Sequence, residues 1–89
     1  MAEMATLLSP AKNYAVVQLP GRKFPGIVFQ GDSAHAILAQ VGAIQKLAEK
    51  CGDEDLDAEI ESLRELLAEV ISHFETVCAR EGIQLPYPK

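Results

Sequence analysis

His35, His73, Cys51 and Cys78 are the side chains of this sequence best suited to proton transfer, nucleophilic attack or metal binding, and their spacing argues against each role. His73 follows Glu69 by four residues and is followed by Thr76 and Val77, so neither a metalloprotease helix nor a zinc-finger pattern forms. His35 falls in the first turn of an expected helix, where a solvent-facing imidazole is the plain expectation. Cys51 ends that helix and Cys78 lies near the end of a second one. In an antiparallel pair the two thiols sit at opposite ends, beyond the roughly 7 Å between Cα atoms that a disulfide tolerates. The negative end of a helix dipole also disfavours a thiolate at Cys51. Ser9, Ser33, Ser62 and Ser72 have no base and orienting group at useful spacing. Glu61, Glu65 and Glu69 form a row at spacing four beside Glu59, but Arg64 and Arg80 interrupt it, which predicts a solvated or partner-facing stripe rather than a catalytic pair. No catalytic residue, metal site or cofactor is expected.

Recognition is better served. The segment Pro20 to Gly26, PGRKFPG, has a Pro-Gly pair at each end and carries Arg22, Lys23 and Phe24 at its tip. Two cations beside an aromatic suit an anion or an acidic surface, and Phe and Arg are common in interface cores. At seven residues the segment exceeds the commonest hairpin connections.

The elements that hold this loop are two strands. Tyr14 to Leu19, YAVVQL, alternates Tyr14, Val16 and Gln18 with Ala15, Val17 and Leu19, and Ile27 to Gln30 supplies the second strand. A two-stranded hairpin is barely stable alone, so the expectation is that it docks on helices through Val17, Leu19, Ile27 and Phe29. Asp32 or Ser33 is placed to cap a helix over Ala34 to Cys51, with Ile37, Val41, Ile44, Ala48 and Cys51 at alternating spacings of four and three and Leu38 and Leu47 widening the stripe. Gly52 fits the left-handed closing residue. Asp53, Glu54 and Asp55 then put negative charge at the start of a helix reaching Glu81. Leu56, Ile60, Leu63, Leu67, Val70, Phe74 and Val77 give that helix a heptad seam, flanked by Leu66, Ile71 and Cys78. Gly82 and Ile83 are placed for a Schellman ending.

The predicted fold class is α+β, a ββαα order in which a β-hairpin precedes an antiparallel helix pair whose second member is long. One domain is expected over residues 1–89: a lead-in segment at 1–12, as a frayed helical turn or a strand, the hairpin at 13–31, the helices at 32–82 and an extended tail at 83–89. A chain of this size buries only about 60–65% of its unfolded surface, so its own core is thin. The second helix carries more apolar length than the first can cover, which predicts a homodimer centred on Leu63, Leu67, Val70, Phe74 and Val77.

Thirteen acidic against eight basic residues leave a net charge of −5, with the basic residues spread along the chain, which argues against nucleic acid as a partner. No stretch reaches the roughly 20 apolar residues of a membrane span, and the two cysteines do not form the framework of a secreted mini-protein; no membrane association and a cytoplasmic location are expected.

The run Asn13 to Ser33 resembles a family of small bacterial proteins built on a domain of unknown function, most closely at Gln18-Leu19-Pro20-Gly21-Arg22 and Gln30-Gly31-Asp32-Ser33. The resemblance implies a bacterial origin and transfers no activity. It directs attention to Gln18, Arg22, Gln30 and Asp32, polar residues at strand ends that strand propensity alone does not select. The functional expectation is a non-catalytic protein-interaction module of accessory, antitoxin-like or immunity-like type. A ligand-binding or regulatory domain using the hairpin loop is the alternative, and an enzyme stands third.

Overall fold

Three short strands, β1 (Thr6–Leu7), β2 (Tyr14–Gln18) and β3 (Gly26–Phe29), are followed by two helices, α1 (Gly31–Glu49) and α2 (Glu54–Arg80), an α+β arrangement. The computed structural model describes residues 3–88; Met1 and Ala2 of the lead-in segment and Lys89 of the tail lie outside them. The chain divides into two compact units, one ending at Gln30 and one beginning at Gly31.

In the first unit the lead-in segment supplies a strand, so the expected hairpin is a three-stranded antiparallel sheet in the order β1-β2-β3. Thr6 pairs with Gln18 and Leu7 with Val17, and the Leu8 N–H donates to the Val16 carbonyl at 2.8 Å. Ser9 then continues the edge with a side chain: its hydroxyl accepts the Val16 N–H at 2.9 Å, next to Pro10, which has no N–H to give. Between β2 and β3 the register sets Tyr14 opposite Phe29, Ala15 opposite Val28 and Val16 opposite Ile27. Paired residues share a face, so Ile27 and Phe29 lie with Tyr14 and Val16, while Val17 lies with Ala15 and Val28. The expected set of Val17, Leu19, Ile27 and Phe29 is therefore split between the two faces. Side-chain alternation within each strand was readable, but the register that aligns one strand's alternation with the other's is set by the loop.

The second unit is an antiparallel helix pair. Its two markers agree: the Gln45 amide reaches Glu61, and the Phe74 ring lies against the backbone of Gly31, as a fixed antiparallel register demands. α1 begins at Gly31, earlier than Ala34, so Asp32 and Ser33 lie inside its first turn; the Asp32 carboxylate still accepts a free N–H there, from Ser33 at 2.8 Å. It ends at Glu49, short of Cys51, because the Lys50 and Cys51 N–H groups turn back to Leu47 and Ala48 before Gly52, at φ 66°, reverses the chain. Asp53 caps α2 by accepting the Asp55 and Leu56 N–H groups at 3.0 and 3.1 Å. At the far end Gly82 (φ 69°) donates to the Ala79 carbonyl and Ile83 to the Cys78 carbonyl, the Schellman ending expected from the sequence.

The stripe α2 turns toward α1 differs from the heptad seam read in the sequence. Ile60, Arg64, Leu67, Ile71, Phe74 and Cys78 run along the middle of its buried and half-buried positions, on the side of Ala34, Leu38, Val41, Gln45 and Ala48 of α1. Ile60, Leu67 and Phe74 belong to both patterns, but Arg64 and Ile71 stand in place of the exposed Leu63 and Val70, and Cys78 is buried beside a half-buried Val77. α2 is apolar around a wide arc, and α1 covers the part running from Ile60 through Arg64 and Leu67 to Ile71, the last 5% exposed.

Two glycines of α1 make contrasting predictions. A Cβ at Gly31 would overlap the Phe74 ring, while one at Gly42 meets open space. Gly31→Ala should lower the melting temperature by displacing that ring. Gly42→Ala should raise it, by up to about 1 kcal/mol in stability, because alanine is the better helix former. Thermal unfolding by circular dichroism of both variants tests the opposite signs.

Candidate functional site

Two surfaces combine exposure with organised geometry. The first is the β2–β3 loop. Pro20 and Gly21, the latter at φ 77°, occupy the middle of a turn closed by the Arg22 N–H on the Leu19 carbonyl at 3.3 Å, the arrangement a type II turn requires. Gln18 explains its own presence at the strand end: its amide donates to the Leu19 carbonyl at 3.3 Å and to the Arg22 carbonyl at 2.6 Å, tying the turn to the strand. Beyond it Arg22, Lys23 and Phe24 are exposed, Phe24 to 73%, and the Lys23 ammonium stands 5.4 Å from the centre of the Phe24 ring. Gln30 uses its backbone N–H on the Asn13 carbonyl at 2.8 Å, and its side chain is exposed. Asp32 is exposed in the first turn of α1, in the other unit from Gln18 and Arg22.

The second surface is one side of the helix pair. At 100° per residue, positions displaced in the same sense from the contact stripe on two antiparallel helices fall on the same side of the pair. Ile37, Ile44 and Leu47 of α1 are so displaced, as are Leu56, Leu63, Leu66 and Val70 of α2, and each is two-fifths or more exposed. They amount to on the order of 600 Å² of apolar surface, the upper end for the largest patch on an ordinary monomer. Between Asp32 and Lys46 α1 has no Asp, Glu, Lys or Arg at all, so this helix lacks the charged outer face of a solvated one.

The opposite side is polar. Glu61 accepts from the Gln45 amide at 2.6 Å and pairs with Arg64 at 2.5 Å through the guanidinium. The Arg64 hydrogen bonds, then that of Gln45, hold the Glu61 carboxyl down to about 2. Further along, Tyr87 returns from the tail, stacks on His35 with ring centres 3.7 Å apart, and donates its hydroxyl to Glu75 at 2.9 Å. The expected extended tail is thus folded back, and His35 is half-buried rather than solvent-facing. Partial desolvation, followed by the hydrogen bond to and the charge of Glu75, pushes the Tyr87 phenol up to about 12.

A model described as a family of unknown function, DUF6959, matches residues 1–87. The chain belongs to that family. No curated protein and no solved structure matches it. The match extends the resemblance seen over Asn13 to Ser33 through both helices.

Within this family member the residues capable of chemistry are dispersed. Cys51 is an exposed free thiol beyond the end of α1, Cys78 a buried one in α2, and His73 is exposed. Among the described residues no three His, Cys, Asp or Glu side chains are grouped to hold a metal ion, and no helix is long and apolar enough to cross a membrane. Of the residues expected at an interface, Leu63 and Val70 are exposed while Leu67, Phe74 and Val77 are half-buried. Sequence reasoning missed the share of α1 in that surface. The signal was present in the uncharged run from Ser33 to Gln45.

The Tyr87 contact has a testable pH dependence. A phenol raised in the folded state stabilises the docked tail fully below the ordinary value of 10.0, and that contribution is lost as pH climbs toward about 12. In a Tyr14→Phe background, which leaves Tyr87 as the one phenol of the chain, phenolate absorbance should rise late, and Glu75→Gln should bring the midpoint down. An unchanged midpoint in Glu75→Gln would remove the carboxylate from the explanation.

Proposed function

We propose that this chain is a non-catalytic interaction module that works by binding another protein, in a bacterial cytoplasm, with a role of accessory or immunity-like type. One observation carries the reading. Among the described residues seventeen large apolar side chains are exposed, whereas the buried ones are Ala15, Val41, Ala48, Ile71 and Cys78, and no large side chain is fully enclosed. Apolar surface left in water forgoes about 25 cal/mol per Å², so a chain selected to act alone would enclose more of it. The dispersal of His35, His73, Cys51 and Cys78 supports the same reading, since nucleophilic and acid–base chemistry need such groups within hydrogen-bond reach of one another.

The β2–β3 loop is the proposed recognition element for the other protein. Its turn is held by Gln18, so little order has to be gained on binding, and its exposed cations suit an acidic surface. That pre-formed turn also favours the second reading, a small anionic ligand held by Arg22 and Lys23.

Replacing Arg22, Lys23 and Phe24 together by alanine separates these outcomes. Because all three are exposed, the melting temperature and helical circular dichroism should hold, with stability changed by less than about 0.5 kcal/mol. Proteins captured from a bacterial lysate by the wild-type chain should be lost. Capture of every one by the variant would overturn the assignment of the loop, and loss only of a dialysable anion would favour the ligand reading.

A further inference from the structure

The ladder on the apolar side of the helix pair has a regularity that exposure alone does not require. Ile37 and Ile44 are seven residues apart on α1, and Leu63 and Val70 are seven apart on α2. The antiparallel register fixed by Gln45 with Glu61 and by Gly31 with Phe74 sets Ile37 across from Val70 and Ile44 across from Leu63. These rungs repeat every two turns, about 10 Å apart. Leu47 and Leu66 broaden the face.

We infer that this side of the helix pair closes on the same side of a second copy of the chain, giving a homodimer built as a four-helix arrangement. The inference rests on the association reading and names one partner, the chain itself. Three features select a second copy. Equal rung spacing on both helices means that a twofold axis in the plane of the face lays rung on rung, as a self-complementary interface requires. The apolar area, on the order of 600 Å² per chain, approaches the roughly 800 Å² per partner of a standard stable interface once flanking atoms are counted. Finally, a chain of net charge −5 opposes its copy unless most of its acids lie away from the contact, and all but Glu59 do. Glu61 is paired with Arg64 on the polar side, Glu65 and Glu69 are displaced toward the back of α2, Asp55 stands at the margin, and Glu59, three residues after Leu56 and four before Leu63, is the one acid within the face. With Ala36, Ala39 and Ala43 on the outer part of α1, no charge there selects a polar partner.

Of the expected set Leu63, Leu67, Val70, Phe74 and Val77, this interface keeps Leu63 and Val70, the exposed members. It uses both helices, and Phe74 is committed to Gly31 within its own chain.

Sedimentation equilibrium of the full chain should give a mass about twice 9.7 kDa at micromolar concentration, and added salt should not dissociate it, because the face is mainly apolar and salt screens Glu59 from its copy. Ile44→Glu and Leu63→Glu, made separately on facing positions that are already half exposed, should each weaken the dimer about a hundredfold or more while keeping helical circular dichroism. Leu66→Lys, at a position 58% exposed, provides a milder disruption should either glutamate unfold the chain, and it should lower the dimer fraction in the same direction. A Phe24→Glu control should stay dimeric. A wild-type chain that is monomeric throughout, or a dimer that survives all three face substitutions, overturns the proposal. If a monomeric wild type still loses its captured proteins on alanine replacement of Arg22, Lys23 and Phe24, self-association fails and the association reading stands. If it instead loses them through Leu63→Glu, the face belongs to that other protein.

Discussion

The packing of α1 on α2, with Ala34, Leu38, Val41, Gln45 and Ala48 on one side and Ile60, Arg64, Leu67 and Ile71 on the other, is the contact on which the unit from Gly31 onward depends. Its character follows from size. The α1 stripe includes Ala34 and Ala48, and Gly31 at its start admits the Phe74 ring against the backbone, so the helices can lie close. A close contact made by small side chains covers a narrow arc of its neighbour. α2 is apolar across a broader arc than that, and Leu63, Leu66 and Val70 are what remains outside. The exposed ladder is thus a consequence of how the pair packs, and it would shrink if α1 carried larger residues at the contact.

The polar side fixes how the two helices slide past each other. A broad aliphatic stripe sets register weakly, since dispersion contacts are nearly as good after a shift by one turn. Glu61 is held from both helices, by Gln45 across the pair and by Arg64 within α2, and only one register brings the Gln45 amide to it. Such an exposed pair adds little to stability on its own account. Its value lies in geometry, because the alignment that satisfies it also sets Ile37 opposite Val70 and Ile44 opposite Leu63. Tyr87 works at the other end, joining His35 of α1 to Glu75 of α2 through a residue belonging to neither helix.

The sheet unit shows the same use of single polar groups where apolar burial is thin. Among its described residues Ala15 is the one buried hydrophobic residue, so alignment is left to backbone pairing and to two side chains, the Ser9 hydroxyl at the edge and the Gln18 amide at the turn. The Tyr14 and Phe29 rings, 6.5 Å apart and tilted, reinforce the β2–β3 register on one face. A loop closed by a side chain of its own strand can present Arg22, Lys23 and Phe24 without help from the rest of the molecule.

The sequence by itself determined the local pieces. Alternation marked β2 and β3, Asp53 marked the start of α2, and Gly52 and Gly82 marked the helix ends, because capping and left-handed glycines act within a few residues of chain. It also determined that α2 has more apolar surface than a single neighbour can cover. Tertiary structure alone decided which part is covered. Two heptad patterns one residue apart coexist on α2, one through Leu63 and Val70 and one through Arg64, Ile71 and Cys78, and hydropathy favours the first while the register and size of α1 select the second. The strand β1, the return of Tyr87 to His35 and the face each strand residue occupies were likewise settled by partners distant in the chain. Periodicity records that a helix has an apolar side, but the neighbour's shape chooses which edge of it is hidden.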